Sequence, residues 1–189
     1  MTIAQLTQPA TEPLTLSEVK EHLRVDHNYE DTLITATLAA ARQHTEYCSG
    51  QKLISQTWRQ YDICFPVDGH LPLRLAPVQT ILAVTGFDRD GNPHSIDLQN
   101  IGINRAHNPV RMELAGDIDP SLMENGLETD LLVGWGDLGV DVPDGLKRAI
   151  LLLTAHWYEF RGAVSPQDQP VSIPAGFEAL VAPYKRMSL

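Results

Sequence analysis

Gly134-Trp135-Gly136-Asp137-Leu138-Gly139 follows an apolar, strand-like run and reproduces the G-x-G-x-x-G spacing of a dinucleotide-binding turn. In such a turn the backbone N–H groups approach a pyrophosphate at a helix N-terminus. That chemistry places the third glycine in the opening helix, and a parallel strand ending near an acidic residue follows within about 30 residues. Here Val140-Asp141-Val142-Pro143 stands between the glycines and the next helical period, and a proline-bearing stretch follows that helix. The run reads as a strand-to-helix turn, and a nucleotide-binding enzyme using residues 134–139 stays open as an alternative.

Asp88-Arg89-Asp90-Gly91-Asn92 has the residue types of a calcium loop, but its glycine falls two positions early and no bidentate Glu follows at the required distance. A hairpin turn accounts for it better, since Gly accepts positive φ and Asn92-Pro93 favours turn initiation. The seven histidines, at 22, 27, 44, 70, 94, 107 and 156, show no H-E-x-x-H or other paired-ligand spacing and are read mostly as surface residues. His156, beside Trp157 on an apolar helix, is read as a core or interface residue. There is no G-x-S-x-G elbow and no recognisable Cys/His nucleophile pair. No catalytic residue, metal ligand or cofactor site is assigned, and the chain is read as a non-enzyme.

Composition points the same way. The 189 residues are 43% hydrophobic and 20% charged, enough for a sizeable core in one domain or one domain plus an arm. The formal net charge of −10 is unevenly spread. Residues 1–50 carry three basic and seven acidic groups, residues 51–142 six and thirteen, and residues 143–189 five and four. With no Lys/Arg stripe to neutralise phosphates, DNA can pass nearby without specific binding. Cys48 and Cys64 make no CxxC pair and are read as small buried hydrophobes in a reducing cytoplasm. Met1 to Pro13 lacks the features of a signal peptide, and the apolar stretch around Ala149–Ala155 is far short of the roughly 20 residues of a membrane span.

The elements follow from periodicity. Residues 1–13 read as a flexible leader. Thr15 and Glu18 form a T-x-x-E capping box for a helix over 15–25, with Leu16, Val19 and Leu23 on one face. A second helix, 30–49, presents Ile34, Leu38, Ala41, Thr45 and Cys48 and ends at Gly50. Over 55–134 the period drops to two, giving a small antiparallel β insertion with a hairpin between Val84–Asp88 and His94–Leu98. Pro143 opens a third helix over 143–161, lined by Leu146, Ala149, Ile150, Leu153, Trp157 and Phe160. Leu151, Leu152 and Ala155 widen its apolar arc, so several sides must be covered by core or by another subunit. A linker over 163–173 leads to a short amphipathic helix carrying Phe177, Leu180, Val181 and Tyr184, with Lys185-Arg186 at its end. The expected fold is α+β and mainly α: a connector domain over 14–162 as a small helical bundle with an inserted antiparallel sheet, and a C-terminal arm over 163–189.

This order of elements resembles the phage head-tail connector family that includes gp6-like and gene transfer agent neck adaptors. Leu14 to Leu23 resembles the family's opening, and Asp31, Leu33-Ile34 and Ala39-Ala40-Ala41-Arg42 resemble its second helix. More specific are Val133 to Asp137, Val142-Pro143, Ala149 to Leu152, His156-Trp157-Tyr158-Glu159-Phe160-Arg161, Ile173 to Phe177, and Leu180. The likeness covers about Leu14 to Arg186, and the β insertion matches in pattern more than in residues. Phe160 departs from it, since relatives often carry a polar residue there.

The resemblance implies a structural head-to-tail connector in the virion neck of a tailed phage or gene transfer agent particle, made in the bacterial cytoplasm. It implies a homo-oligomeric ring, usually a dodecamer, whose partners are the portal protein on one side and a tail-side neck or stopper protein on the other. DNA passes through its lumen, and no membrane is involved. Together with the apolar third helix it places a subunit interface at Leu152, His156, Trp157, Phe160 and Arg161. Portal docking falls on Phe177, Leu180, Val181, Tyr184, Lys185 and Arg186, as an amphipathic helix entering a groove. A solitary helical protein-binding module is the remaining alternative.

Overall fold

The structure, a computed structural model, describes residues 2–66, 68–114, 118–160 and 173–186. The chain divides into two compact units, one of Thr11–Ile54 with Gly136–Arg186, the other of Ser55–Trp135 with the residues before Thr11.

The first unit is helical. Thr15 caps α1 (Leu16–Leu23): its side chain accepts from the Glu18 N–H while the Glu18 carboxylate accepts from the Thr15 N–H at 2.7 Å, closing the expected box. The threonine bonds hold the Glu18 carboxyl below the usual carboxylate range. α2 (Asp31–Ser49) ends where Gly50 turns to φ 70°, which a residue without Cβ adopts at no steric cost. α3 (Asp144–Glu159) begins after Pro143, and α4 (Ala175–Val181) runs into a 3-10 turn over Ala182–Tyr184. Val19, Ile34, Leu38, Ala41, Leu53, Ile54, Leu146, Ala149, Ile150 and Leu153 form its buried centre, and Phe177 and Val181 are fully buried in the same cluster. At roughly 1.5–3 kcal/mol per large side chain removed from water, this cluster supplies most of the unit's driving force.

The second unit is all β apart from short 3-10 turns. Strands β1 (Thr2–Gln5), β2 (Gln56–Asp62), β4 (Val78–Phe87), β5 (Pro93–Ser95) and β8 (Leu127–Val133) form a sheet in the order β1-β2-β8-β4-β5. Strands β3 (His70–Pro72), β6 (Ile101–Asn104) and β7 (Arg111–Leu114) form another in the order β3-β7-β6. Every strand pair is antiparallel. β8 lies between β2 and β4; its Leu127, Thr129, Leu131 and Val133 are buried, while Glu128 and Asp130 point the other way. There Asp130 faces Arg59 in register and takes two guanidinium bonds, at 2.6 and 2.9 Å, with Glu128 adding a third contact at 2.7 Å. The hairpin between β4 and β5 forms as the Asp90-Gly91 signal required, with Gly91 at φ 84°.

Several expectations need correction. The fold is α+β with strands about as prominent as helices, so it is not mainly α, and the β region is two sheets instead of one small insertion. Residues 2–5, expected within a flexible leader, pair with β2 from Thr2↔Tyr61 to Gln5↔Trp58. Burial separates the cysteines: Cys64 is exposed and Cys48 half-buried. Six histidines are half-buried and His107 alone is exposed. Of the expected linker over 163–173, all but Ile173 lies outside the described residues.

Candidate assembly surfaces

The glycine run is occupied by its own chain. A Cβ on Gly136 would collide with the side chain of Asp141, and one on Gly139 with the carbonyl of Pro13. Asp141 Oδ2 accepts from the Leu138 N–H at 3.0 Å, so a carboxylate sits where a phosphate-binding turn would present free N–H groups. A 3-10 turn over Gly139–Asp141 then intervenes before α3. The glycines serve close packing, and the geometry gives the nucleotide reading no support. Asp88 is equally committed: its carboxylate accepts from the N–H groups of Asp90 and Asn92 at 2.9 Å each and bonds the His94 ring at 2.9 Å. Its carboxyl is held well below the usual range, by His94 first and Asn92 next. Among the described residues, no three His, Cys, Asp or Glu side chains converge as a metal site, and no helix is long and apolar enough to cross a membrane.

The proposed interface residues on α3 fall into two groups. Leu152 and Trp157 are half-buried against the helical core. Leu152 lies beneath α4, since a Cβ on Gly176 would stand 3.4 Å from its Cδ2, and Trp157 meets the His44 ring edge-on at 5.7 Å. His156 packs against Phe160 at 5.0 Å, and Phe160 is 44% exposed at the helix end. Arg161 lies outside the described residues.

The apolar arc of α3 is therefore covered in part by the chain's own last helix. Phe177 and Val181 are wholly buried, and Leu180 and Tyr184 are half-buried on the same core. This overturns the expectation that the apolar face of the tail is free for a partner: amphipathicity shows that a face must be covered and leaves open by what. The tail is latched at its end too. Tyr184 abuts Gly145, where a Cβ would meet its ring at 2.9 Å, and its carbonyl accepts from Gln51 Nε2 at 2.6 Å. The Arg186 N–H donates to the Ser49 carbonyl at 2.9 Å. Lys185 Nζ donates to Glu178 Oε2 at 2.6 Å, which raises the Lys185 pKa, while burial lowers that of Arg186 and raises that of the Cys48 thiol.

One cluster escaped the sequence reading. Arg42 and Glu46, 6% and 4% exposed, sit one turn apart on α2. Arg42 Nε donates to Glu12 Oε2 at 2.8 Å and its Nη1 to Glu46 Oε1 at 3.3 Å. Glu46 also takes the Leu53 N–H at 3.1 Å and Lys52 Nζ at 3.3 Å. These bonds tie the segment before α1, the middle of α2 and the strand-like exit at Leu53 into one satisfied polar core. The charges at 12, 42, 46 and 52 have no common period, so only the fold brings them together.

Comparison with known proteins places this architecture. The chain is similar over its full length to a chain in the neck of an empty gene transfer agent (GTA) particle computed with C6 symmetry, at 24% identity and a TM-score of 0.81, with 97% of that chain covered. A chain in the virion of the native particle matches with the same identity, TM-score and coverage. A chain in the neck of the native particle computed with C12 symmetry matches at 23% identity, a TM-score of 0.78 and 97% coverage. No curated protein matches the chain. The model of the phage gp6-like head-tail connector proteins matches residues 13–120, more than half of the sequence, and the chain therefore belongs to that family.

Proposed function

We propose that the chain is a structural subunit of a ring in the neck of a tailed phage or gene transfer agent particle, set between the portal protein and a tail-side neck or stopper protein, and that it performs no reaction. The observation that carries this is the end-to-end likeness of fold to chains from necks computed with C6 and C12 symmetry, joined to membership of the head-tail connector family. Twelve copies is the count proposed for the ring, a number compatible with both the C6 and the C12 symmetry of those necks. The clearest signature motif, 134–139, is filled by Asp141 and Pro13, which accords with a scaffold role.

Portal docking is assigned to the accessible parts of Leu180, Tyr184, Lys185 and Arg186, with Phe177 and Val181 holding α4 in position from below. His156, Trp157, Phe160 and Arg161, with Leu152 behind them, form a contact between neighbouring subunits at the end of α3. DNA passes through the ring without specific contacts, in keeping with a net charge of −10. The test is genetic. Loss of the gene is expected to give DNA-filled heads and free tails in electron micrographs of the lysate, restored to joined particles by a plasmid copy. Normal joined particles without the gene would refute the assignment.

A further inference from the structure

The outer face of α2 is unlike an ordinary solvated helix face. Leu33, Ala36, Ala40, Gln43 and Tyr47 follow one another at steps of three and four and are all exposed, Leu33 at 41% and Tyr47 at 85%. None carries charge. The sole Lys or Arg of the helix, Arg42, is turned inward to Glu12 and Glu46. The hydroxyls of Thr35 and Thr37 donate to the helix's own carbonyls of Asp31 and Leu33, at 2.8 Å each. Ala36 and Ala40 are the shortest side chains of the strip and leave a low stretch between Leu33 and Gln43, here called the α2 trough.

A chain with a net charge of −10 repels its own copies, and this uncharged strip is where a copy can approach closely without setting carboxylates against each other. A cyclic ring closes through a contact between two different patches of the same chain. The helical unit carries a second apolar pair in the turn before α3, where Leu138 is 58% and Val140 81% exposed, flanked by the exposed Asp137 and Asp141, whose carboxylates would meet no charge on the α2 strip.

Resting on the ring reading above, we propose that the α2 trough receives Leu138 and Val140 of the neighbouring copy, and that this is a seam of the ring. The test uses assembled particles from producing cells, with the chain carrying Cys64→Ser to remove the exposed thiol. Ala40→Cys and Val140→Cys together, after mild oxidation, are expected to give a ladder of linked dimers and higher multiples on a non-reducing gel, and each alone only monomer. A doubly substituted chain that enters particles in normal amount yet stays monomeric would overturn the proposal. As a second arm, Ala40→Glu is expected to cut the copies per particle by about ten-fold or more, and Val140→Lys on the same chain to recover them. Unaltered incorporation of Ala40→Glu would likewise overturn it. Absence of the unsubstituted chain from particles would instead sink the ring reading itself.

Discussion

Phe177 of α4 lies against His44 of α2 with ring centroids 5.6 Å apart, which makes the last helix part of the same core as the first three. Truncating a fully buried phenylalanine removes its transfer free energy and leaves a cavity. Phe177→Ala is expected to lower stability by about 3–5 kcal/mol in chemical denaturation, with new protease cleavage between residues 173 and 186. A loss under 1 kcal/mol would mean that the tail packs elsewhere in solution.

Arg42 joins Glu12 to Glu46 in the interior of the helical unit. Replacing it by alanine takes a buried cation away from both the Glu12 and the Glu46 carboxylates, while Lys52 and the Leu53 N–H stay bonded to Glu46. Arg42→Ala is expected to destabilise by about 3 kcal/mol, and pairing it with Glu46→Ala to recover part of that loss, since removing both members relieves the uncompensated charge. Thermal denaturation of the two variants beside the parent checks this.

Gly86 in β4 meets the carbonyl of Leu122 so closely that no Cβ fits between them. The obstacle is backbone, which cannot rotate away. Gly86→Ala is expected to cost about 1–3 kcal/mol and to shift the amide resonances of Leu122 and Met123 in NMR spectra. The same change at Gly69, where nothing lies within 4 Å, meets no such clash and strains only its own φ of 77°.

Much of this architecture is legible from local chemistry. The Thr15–Glu18 box, the Gly50 stop and the Asp90-Gly91 hairpin each depend on residues within a few positions of one another. β1 is not legible, because Thr2–Gln5 is four residues long and takes its identity from β2, more than fifty positions away. Amphipathicity over Phe177–Tyr184 identified a helix face needing cover, but the covering surface on α2 and α3 is set by tertiary contacts such as Tyr184 on Gly145. The neutral outer face of α2 is hard to see in the sequence because Ile34, Leu38 and Ala41 on the buried side dominate its pattern.

The Asp88 carboxyl is bonded by His94, Asn92 and Asp90, all of which favour its ionised form. Its folded pKa is depressed, so the hairpin's gain from that carboxylate is complete above the unfolded value of about 3.9 and is lost as pH falls through the lower folded value. Carboxyl titration by NMR is expected to place Asp88 below the usual aspartate range, and Asp88→Asn to loosen the β4–β5 hairpin at neutral pH in hydrogen exchange. An ordinary titration midpoint would show that these bonds do not persist in water.

The central claim is that this chain is a connector in the neck, and its location in the particle tests that most directly. With a compact label fused after Leu189, electron microscopy of intact particles is expected to show extra density as a single ring at the junction of head and tail. Label scattered over the capsid shell, or particles that lack the chain altogether, would contradict the account.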